Sequence, residues 1–195
     1  MSKLSALTDW IAVYDDVFSA DFCDRCIAMF EDPNIVKGAH TAYWRTCIEL
    51  GTFDQTAVWP EFKEIVKRYY HQYRDEHPGG VLNYSNTIEA PNMYRYDVNH
   101  EHPNIFNFHA DNWSMQTATR QISIIAYLND VDEGGETFFE ALDLRVQPKR
   151  GRLLLFPSFF NYIHKGEAPI SGPKYIVVSW CCYDGTGHAY RVHGL

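Results

Sequence analysis

Apolar and polar positions alternate from Trp10 to Phe18, which predicts a strand, and Ser19-Ala20-Asp21-Phe22 then reads as an N-cap opening a helix through Cys23, Cys26, Ile27 and Phe30. A strand is expected over Tyr43 to Leu50. At Trp59-Pro60-Glu61 the period becomes helical, with Phe62, Ile65, Val66, Tyr69, Tyr70 and Tyr73 on one face and a stop at His77-Pro78-Gly79-Gly80. Beyond that stop the pattern turns to strands: Asn92 to Val98, Arg120 to Leu128, Glu136 to Phe139, Arg152 to Phe156, Asn161 to Lys165 and Lys174 to Tyr183. Turn signals such as Glu133-Gly134-Gly135 and Lys149-Arg150-Gly151 separate them. Many short strands after two helices predict a mainly β fold closed on itself as a sandwich or jelly roll, with the helices packed on one sheet face.

Composition narrows the class. The chain has 195 residues, 46% hydrophobic and 22% charged, enough to bury a core and typical of an ordered domain. We expect a single domain over 1–195, with helical support in about 1–90 and a β core in about 91–185. The net charge of −8 argues against a phosphate backbone or an anionic membrane as partner. No apolar run approaches the roughly 20 residues that span a bilayer, and Met1 to Trp10 lacks the pattern of a signal peptide, so a cytoplasmic location is expected. Five cysteines, Cys23, Cys26, Cys47, Cys181 and Cys182, make a disulfide framework an unnatural reading. Cys23 and Cys26 are three apart on a helix face and lack a second ligand pair, which makes them core residues.

The candidate chemistry begins at His109-Ala110-Asp111. In an extended segment both side chains leave the backbone on the same side, and a β fold can bring His164 beside them. Two imidazoles and one carboxylate on one face of a metal leave about three positions open, the arrangement of non-haem Fe(II) oxygenases. Ten residues later Lys174 heads the apolar run Tyr175-Ile176-Val177-Val178, where an inward ammonium would need an anion. His100 and His102 form a rival pair, but no strand follows them as one follows His109, and they read as loop residues.

From Tyr94 to Tyr183 the chain resembles the Fe(II)- and 2-oxoglutarate-dependent oxygenases of the prolyl 4-hydroxylase-like branch. The resemblance rests, in order, on Tyr96-Asp97-Val98-Asn99, His109-Ala110-Asp111 and Arg120 to Asn129. It continues with Glu133-Gly134-Gly135-Glu136-Thr137, Pro148 to Arg152, and His164 with Lys174 and Trp180. It departs at Asn99, where the family commonly has glycine, and in the longer loop from Asn99 to Asn104.

That resemblance implies a double-stranded β-helix (jelly-roll) core with N-terminal helices packed on one sheet. It implies iron at His109, Asp111 and His164, 2-oxoglutarate held by Lys174 with Tyr127 and Tyr96, and substrate near Arg120 and Trp180. Fe(II), 2-oxoglutarate, O2 and, as a further candidate, ascorbate are the implied cofactors. The implied reaction is hydroxylation of a prolyl residue in a peptide or protein, with no nucleic acid or membrane involved. Two alternatives stay open at this point: hydroxylation of a free amino acid or small molecule, and a non-catalytic binding module on the same barrel.

Overall fold

The computed structural model describes residues 7–43, 45–51, 53–77, 85–99 and 101–183. Its strands are β1 (Ala12–Tyr14), β2 (Gly38–Ala42), β3 (Arg45–Leu50), β4 (Ser85–Ile88), β5 (Asn92–Tyr96), β6 (Phe106–His109) and β7 (Arg120–Tyr127). They continue as β8 (Thr137–Phe139), β9 (Leu144–Val146), β10 (Leu153–Pro157), β11 (His164–Gly166) and β12 (Lys174–Tyr183). Two helices, α1 (Ala20–Glu31) and α2 (Trp59–Glu76), lie between β1 and β4. None of the described helices is long and apolar enough to cross a membrane.

All strand pairings are antiparallel, in the order β1-β10-β7-β12-β5-β3-β6-β11-β8-β9, with β2 on β3 and β4 on β12. The sheet curls into two walls joined where β3 meets β6 at the pair Arg45 and Phe106. Across the interior the rings of Phe139 and Phe156 meet edge to face at 4.9 Å. The Tyr127 hydroxyl reaches Thr137 Oγ1 at 2.6 Å. Mainly β and curled, this is the expected architecture, and four of its strands come from the first ninety residues.

The period-two geometry of a strand divides the chemistry between faces. On β7, Ile122, Ile124 and Ala126 turn outward, and so do Leu153 and Leu155 on β10 and Val177 on β12. They pack under Phe22, Cys23, Cys26 and Phe30 of α1 and Phe62 and Val66 of α2. The neighbouring positions, Ile125 and Tyr127 on β7, Leu154 and Phe156 on β10 and Ile176 on β12, turn inward with Tyr94 and Tyr96 of β5. Both faces being covered, β7 carries an almost unbroken apolar run.

Helix α1 begins as expected: the Ser19 hydroxyl accepts from the Phe22 amide at 3.1 Å. Its two cysteines lie in the outer core, and burial pushes the Cys26 thiol up to about 12. The two largest departures from the expected strands lie at 10–18 and 161–165. The strand over 10–18 is cut to Ala12–Tyr14, since Trp10 closes a 3-10 turn and Asp16 takes a left-handed φ of 57°. The strand over 161–165 gives way to a 3-10 turn at Phe160–Tyr162, leaving His164–Gly166 extended.

Candidate metal and cosubstrate site

β6 and β11 pair so that His109 and His164 stand directly opposite each other, with ring centroids 4.4 Å apart. Asp111 follows two residues on, in the turn that leaves β6, and its side chain is buried. Its Oδ1 lies 3.3 Å from His109 Nε2 and its Oδ2 lies 4.0 Å from His164 Nε2. One donor atom from each of the three residues falls within 4.8 Å of the others.

The imidazoles are held for this geometry. His109 Nδ1 lies 2.7 Å from the carbonyl oxygen of Asn107, and His164 Nδ1 lies 3.1 Å from that of Tyr162. A carbonyl only accepts, so each Nδ1 carries the proton and each Nε2 presents its lone pair, the tautomer a metal ligand needs. Phe106 stacks on the His109 ring at 3.8 Å, and Phe156 meets the His164 ring edge to face at 4.7 Å. Burial, reinforced by the neighbouring His109, pushes His164 down to about 4. Burial would raise the Asp111 carboxyl, but the two neighbouring histidines and the Ser123 hydroxyl outweigh it and hold the group well below the usual carboxylate range. At neutral pH the cluster therefore offers an ionised carboxylate beside a neutral His164, a donor set that fits a divalent iron with open positions.

Lys174 opens β12 and is 1% exposed. Its Nζ donates to the Gly135 carbonyl at 2.9 Å and lies 4.5 Å from the centre of the Tyr96 ring, the residue opposite it in β5. The Gly134-Gly135 turn delivers that carbonyl: both residues have φ near +77°, and a Cβ at position 134 would lie 2.4 Å from the Ala168 carbonyl oxygen. Gly166 leaves the wall open beside the ammonium, where a Cβ would come within 3.5 Å of Nζ. Burial lowers Lys174 to about 8 against the pull of Glu136, Cys47 and Glu167. Among the described residues it forms no ion pair, so a buried ammonium with spare N–H donors faces the cavity, which fits a carboxylate.

One cavity joins the two groups. Tyr96, Thr137, Gly166 and Lys174 line it together with His109, Asp111 and His164, and Ile176, Val178 and Trp180 follow along β12. Lys174 and Trp180 are six residues apart on this strand, about 20 Å. Tyr127 is fully buried on the inner face, is not part of the cavity lining, and meets the cavity through Thr137.

Arg120 is engaged elsewhere. Its guanidinium makes two bonds to the Glu89 carboxylate, one of them at 2.8 Å, and Nη1 donates to the Asp111 carbonyl at 3.3 Å. It also covers the Trp180 ring at 3.4 Å. His102 is exposed and His100 lies outside the described residues. Sequence reasoning left Thr137 and Gly135 without individual roles, although both sit in the quoted Glu133 to Thr137 piece. Gly166 was read only as a turn signal bordering the His164 segment, and Glu89 carried no signal, since a lone carboxylate is common in any loop.

Residues 91–182 match the model of the 2OG-Fe(II) oxygenase superfamily. Over that stretch, a little under half of the chain, the β core is similar to this superfamily. That superfamily implies Fe(II) and 2-oxoglutarate, and a His-Asp-His cluster is present among the described residues. Among curated proteins the chain is similar to "Probable prolyl 4-hydroxylase 9" of Arabidopsis thaliana, 28% identical over 47% of this chain and 40% of the relative. It is also similar to "Prolyl 4-hydroxylase 13" of the same plant, 23% identical over 58% of this chain and 54% of the relative. The chain thus spans about half the length of these relatives. Among solved structures, the viral collagen prolyl hydroxylase of Paramecium Bursaria Chlorella virus-1, in complex with 2-oxoglutarate, superposes with a TM-score of 0.67. That likeness is 18% identical and covers 88% of this chain and 94% of the viral one. A prolyl-4-hydroxylase of Pseudomonas putida gives 0.66 at 16% identity, covering 90% and 94%. A prolyl hydroxylase from Trichoplax adhaerens, in complex with a hypoxia inducible factor peptide fragment, gives 0.68 at 14%, covering 90% and 84%. These likenesses show the fold, a jelly-roll core.

Proposed function

We propose that this chain is an Fe(II)- and 2-oxoglutarate-dependent hydroxylase of prolyl residues in a peptide or protein, working as one oxygenase domain. The observation that carries the reading is the pairing, within one cavity, of a His-Asp-His donor set with a buried ammonium that has no acid partner among the described residues.

His109, Asp111 and His164 would hold the iron through Nε2, a carboxylate oxygen and Nε2. Lys174 would take the distal carboxylate of 2-oxoglutarate, with Tyr96 forming the floor beneath it and Tyr127 holding Thr137 against the wall. With iron, 2-oxoglutarate and O2 bound, the reaction splits the oxo acid into succinate and carbon dioxide and places one atom of O2 in a substrate C–H bond, ascorbate serving to keep the iron reduced. The chain's own contribution is to orient and to exclude water: Ile125, Ile176 and Val178 line the space between the charged ends. Trp180 would meet the substrate, and Arg120 would act behind it by fixing the indole and the Asp111 carbonyl.

A peptide substrate is favoured over a free amino acid by the ground outside the cavity. Tyr43, Phe108 and Trp113 line an open groove that shares Phe106 and His109 with the cavity, and Tyr43 and Trp113 are 88% and 74% exposed. Rings at the mouth of a metal site are suited to flanking residues of an extended proline-rich chain. The names of the curated relatives point the same way. The test is incubation with Fe(II), 2-oxoglutarate and proline-rich peptides, followed by mass spectrometry. The expected result is succinate release accelerated by peptide, with one oxygen added at proline. Turnover of free proline in preference to any peptide would make it a small-molecule enzyme, and no succinate under any condition would make it a binding module.

A further inference from the structure

Asp111 is tied into the protein by two buried hydroxyls outside the metal-ligand set. Ser123 on β7 is 0% exposed and Ser158, just beyond β10, is 1% exposed. Ser123 Oγ lies within hydrogen-bonding distance of both Asp111 Oδ2 and Ser158 Oγ, the latter at 2.9 Å. A carboxylate only accepts and a serine hydroxyl has one proton to give, which fixes the direction of the chain. Ser123 donates to Asp111, and Ser158 donates to Ser123. Ser158 is itself anchored at both ends: its amide donates to the Gln121 carbonyl at 2.9 Å, and its carbonyl accepts from the Asn112 amide, next to Asp111, at 3.2 Å.

From this geometry we infer that Ser123 and Ser158 are positioning residues that make Asp111 a one-oxygen ligand. The relay occupies Oδ2 and leaves Oδ1, 3.3 Å from His109 Nε2, as the oxygen offered to the metal. Without the Ser123 hydroxyl, Oδ2 would be buried with no hydroxyl donor and free to swing onto the metal beside Oδ1, closing one of the positions a cosubstrate needs. The inference rests on reading the three residues as a metal centre.

The test is calorimetric titration of metal-free protein with Mn(II), together with the visible absorption spectrum of the Co(II)-loaded form, for the wild type and for Ser123→Ala, Ser123→Thr and Ser158→Ala. We expect Ser123→Ala to weaken Mn(II) binding by roughly 10- to 100-fold and to alter the Co(II) spectrum, as loss of a ligand's hydrogen-bond partner does. Ser123→Thr, which keeps the hydroxyl, should restore both, and Ser158→Ala should show a smaller loss of the same kind. Wild-type affinity and an unchanged Co(II) spectrum in folded Ser123→Ala would overturn the relay while leaving the metal centre intact. If Ser123→Ala does not fold, the same null result in Ser158→Ala overturns it. A wild type that takes up neither ion overturns the metal centre and the relay together.

Discussion

The two faces of the wall formed by β10, β7, β12 and β5 are built from the same strands and are both covered, yet they hold different kinds of residue. The outer face, under α1 and α2, is apolar at almost every position, with Ile122, Ile124, Leu153, Leu155 and Val177 meeting Phe22, Phe30, Phe62 and Val66. The inner face carries Lys174, Tyr96, Ser123, Tyr127 and Trp180, all buried. Each large side chain on the outer face gains about 1.5–3 kcal/mol from burial. A buried ammonium or hydroxyl gains nothing of that sort and is tolerated when hydrogen-bonded. The comparison separates residues that build the fold from residues proposed to serve the reaction, and substitutions on the two faces should differ in kind.

The largest effect is expected at Asp111. Asp111→Ala should lower turnover by at least about 10³-fold, read as succinate release, while circular dichroism stays that of the folded protein. On the outer face, Phe62→Ala removes a ring that packs on Phe18 at 5.7 Å and Phe53 at 5.5 Å. It should reduce unfolding free energy by about 3–5 kcal/mol in denaturant titrations and leave Mn(II) affinity of the folded fraction unchanged.

Lys174→Met should affect stability and binding with opposite signs. Loss of the charged partner should weaken 2-oxoglutarate binding by about 2–5 kcal/mol, whereas the metal-free protein should become more stable, since a buried unpaired charge is replaced by an apolar chain of similar length. A variant that lost stability and kept 2-oxoglutarate would erase the distinction between the faces.

The smallest effect is the pH response of the same lysine. Its pKa is lowered from 10.5 to about 8 by burial, so between pH 8 and 10.5 the unfolded chain binds more protons than the folded one. Stability of the ligand-free protein should therefore carry the full penalty below pH 8 and recover as pH rises through this window. Affinity for 2-oxoglutarate should fall over the same range, by about tenfold per pH unit once the ammonium is lost. Thermal melts and binding titrations from pH 7 to 10 would check both signs.

How much of this was legible in the sequence followed the same division. The outer face could be read, because helical spacing in Phe62, Val66 and Tyr73 and alternation in Arg120 to Leu128 are local signals. The strand over Lys174 to Tyr183 is found within its expected bounds. β2 and β4 went unread because Gly38–Ala42 and Ser85–Ile88 contain too few large apolar residues to display a period. The His-Asp-His cluster was foreseeable from His109 and Asp111, two apart, and from the resemblance's order of motifs placing His164. Its support was not: the register that sets His164 against His109, the carbonyl of Gly135 under Lys174, and the carboxylate of Glu89 on Arg120 are long-range contacts with no local pattern. Arg120 is a case in point: its place in the motif suggested a position near substrate, and its contacts with Glu89, Trp180 and the Asp111 carbonyl carried no local signal.

Titration of 2-oxoglutarate into the protein with and without Mn(II), repeated with Lys174→Met, probes both ends of the cavity at once. The account predicts one equivalent bound tightly by the metal-loaded wild type, and binding that is strongly weakened when either the ion or the ammonium is removed. Equal binding with and without the ion, or full affinity in Lys174→Met, would contradict it.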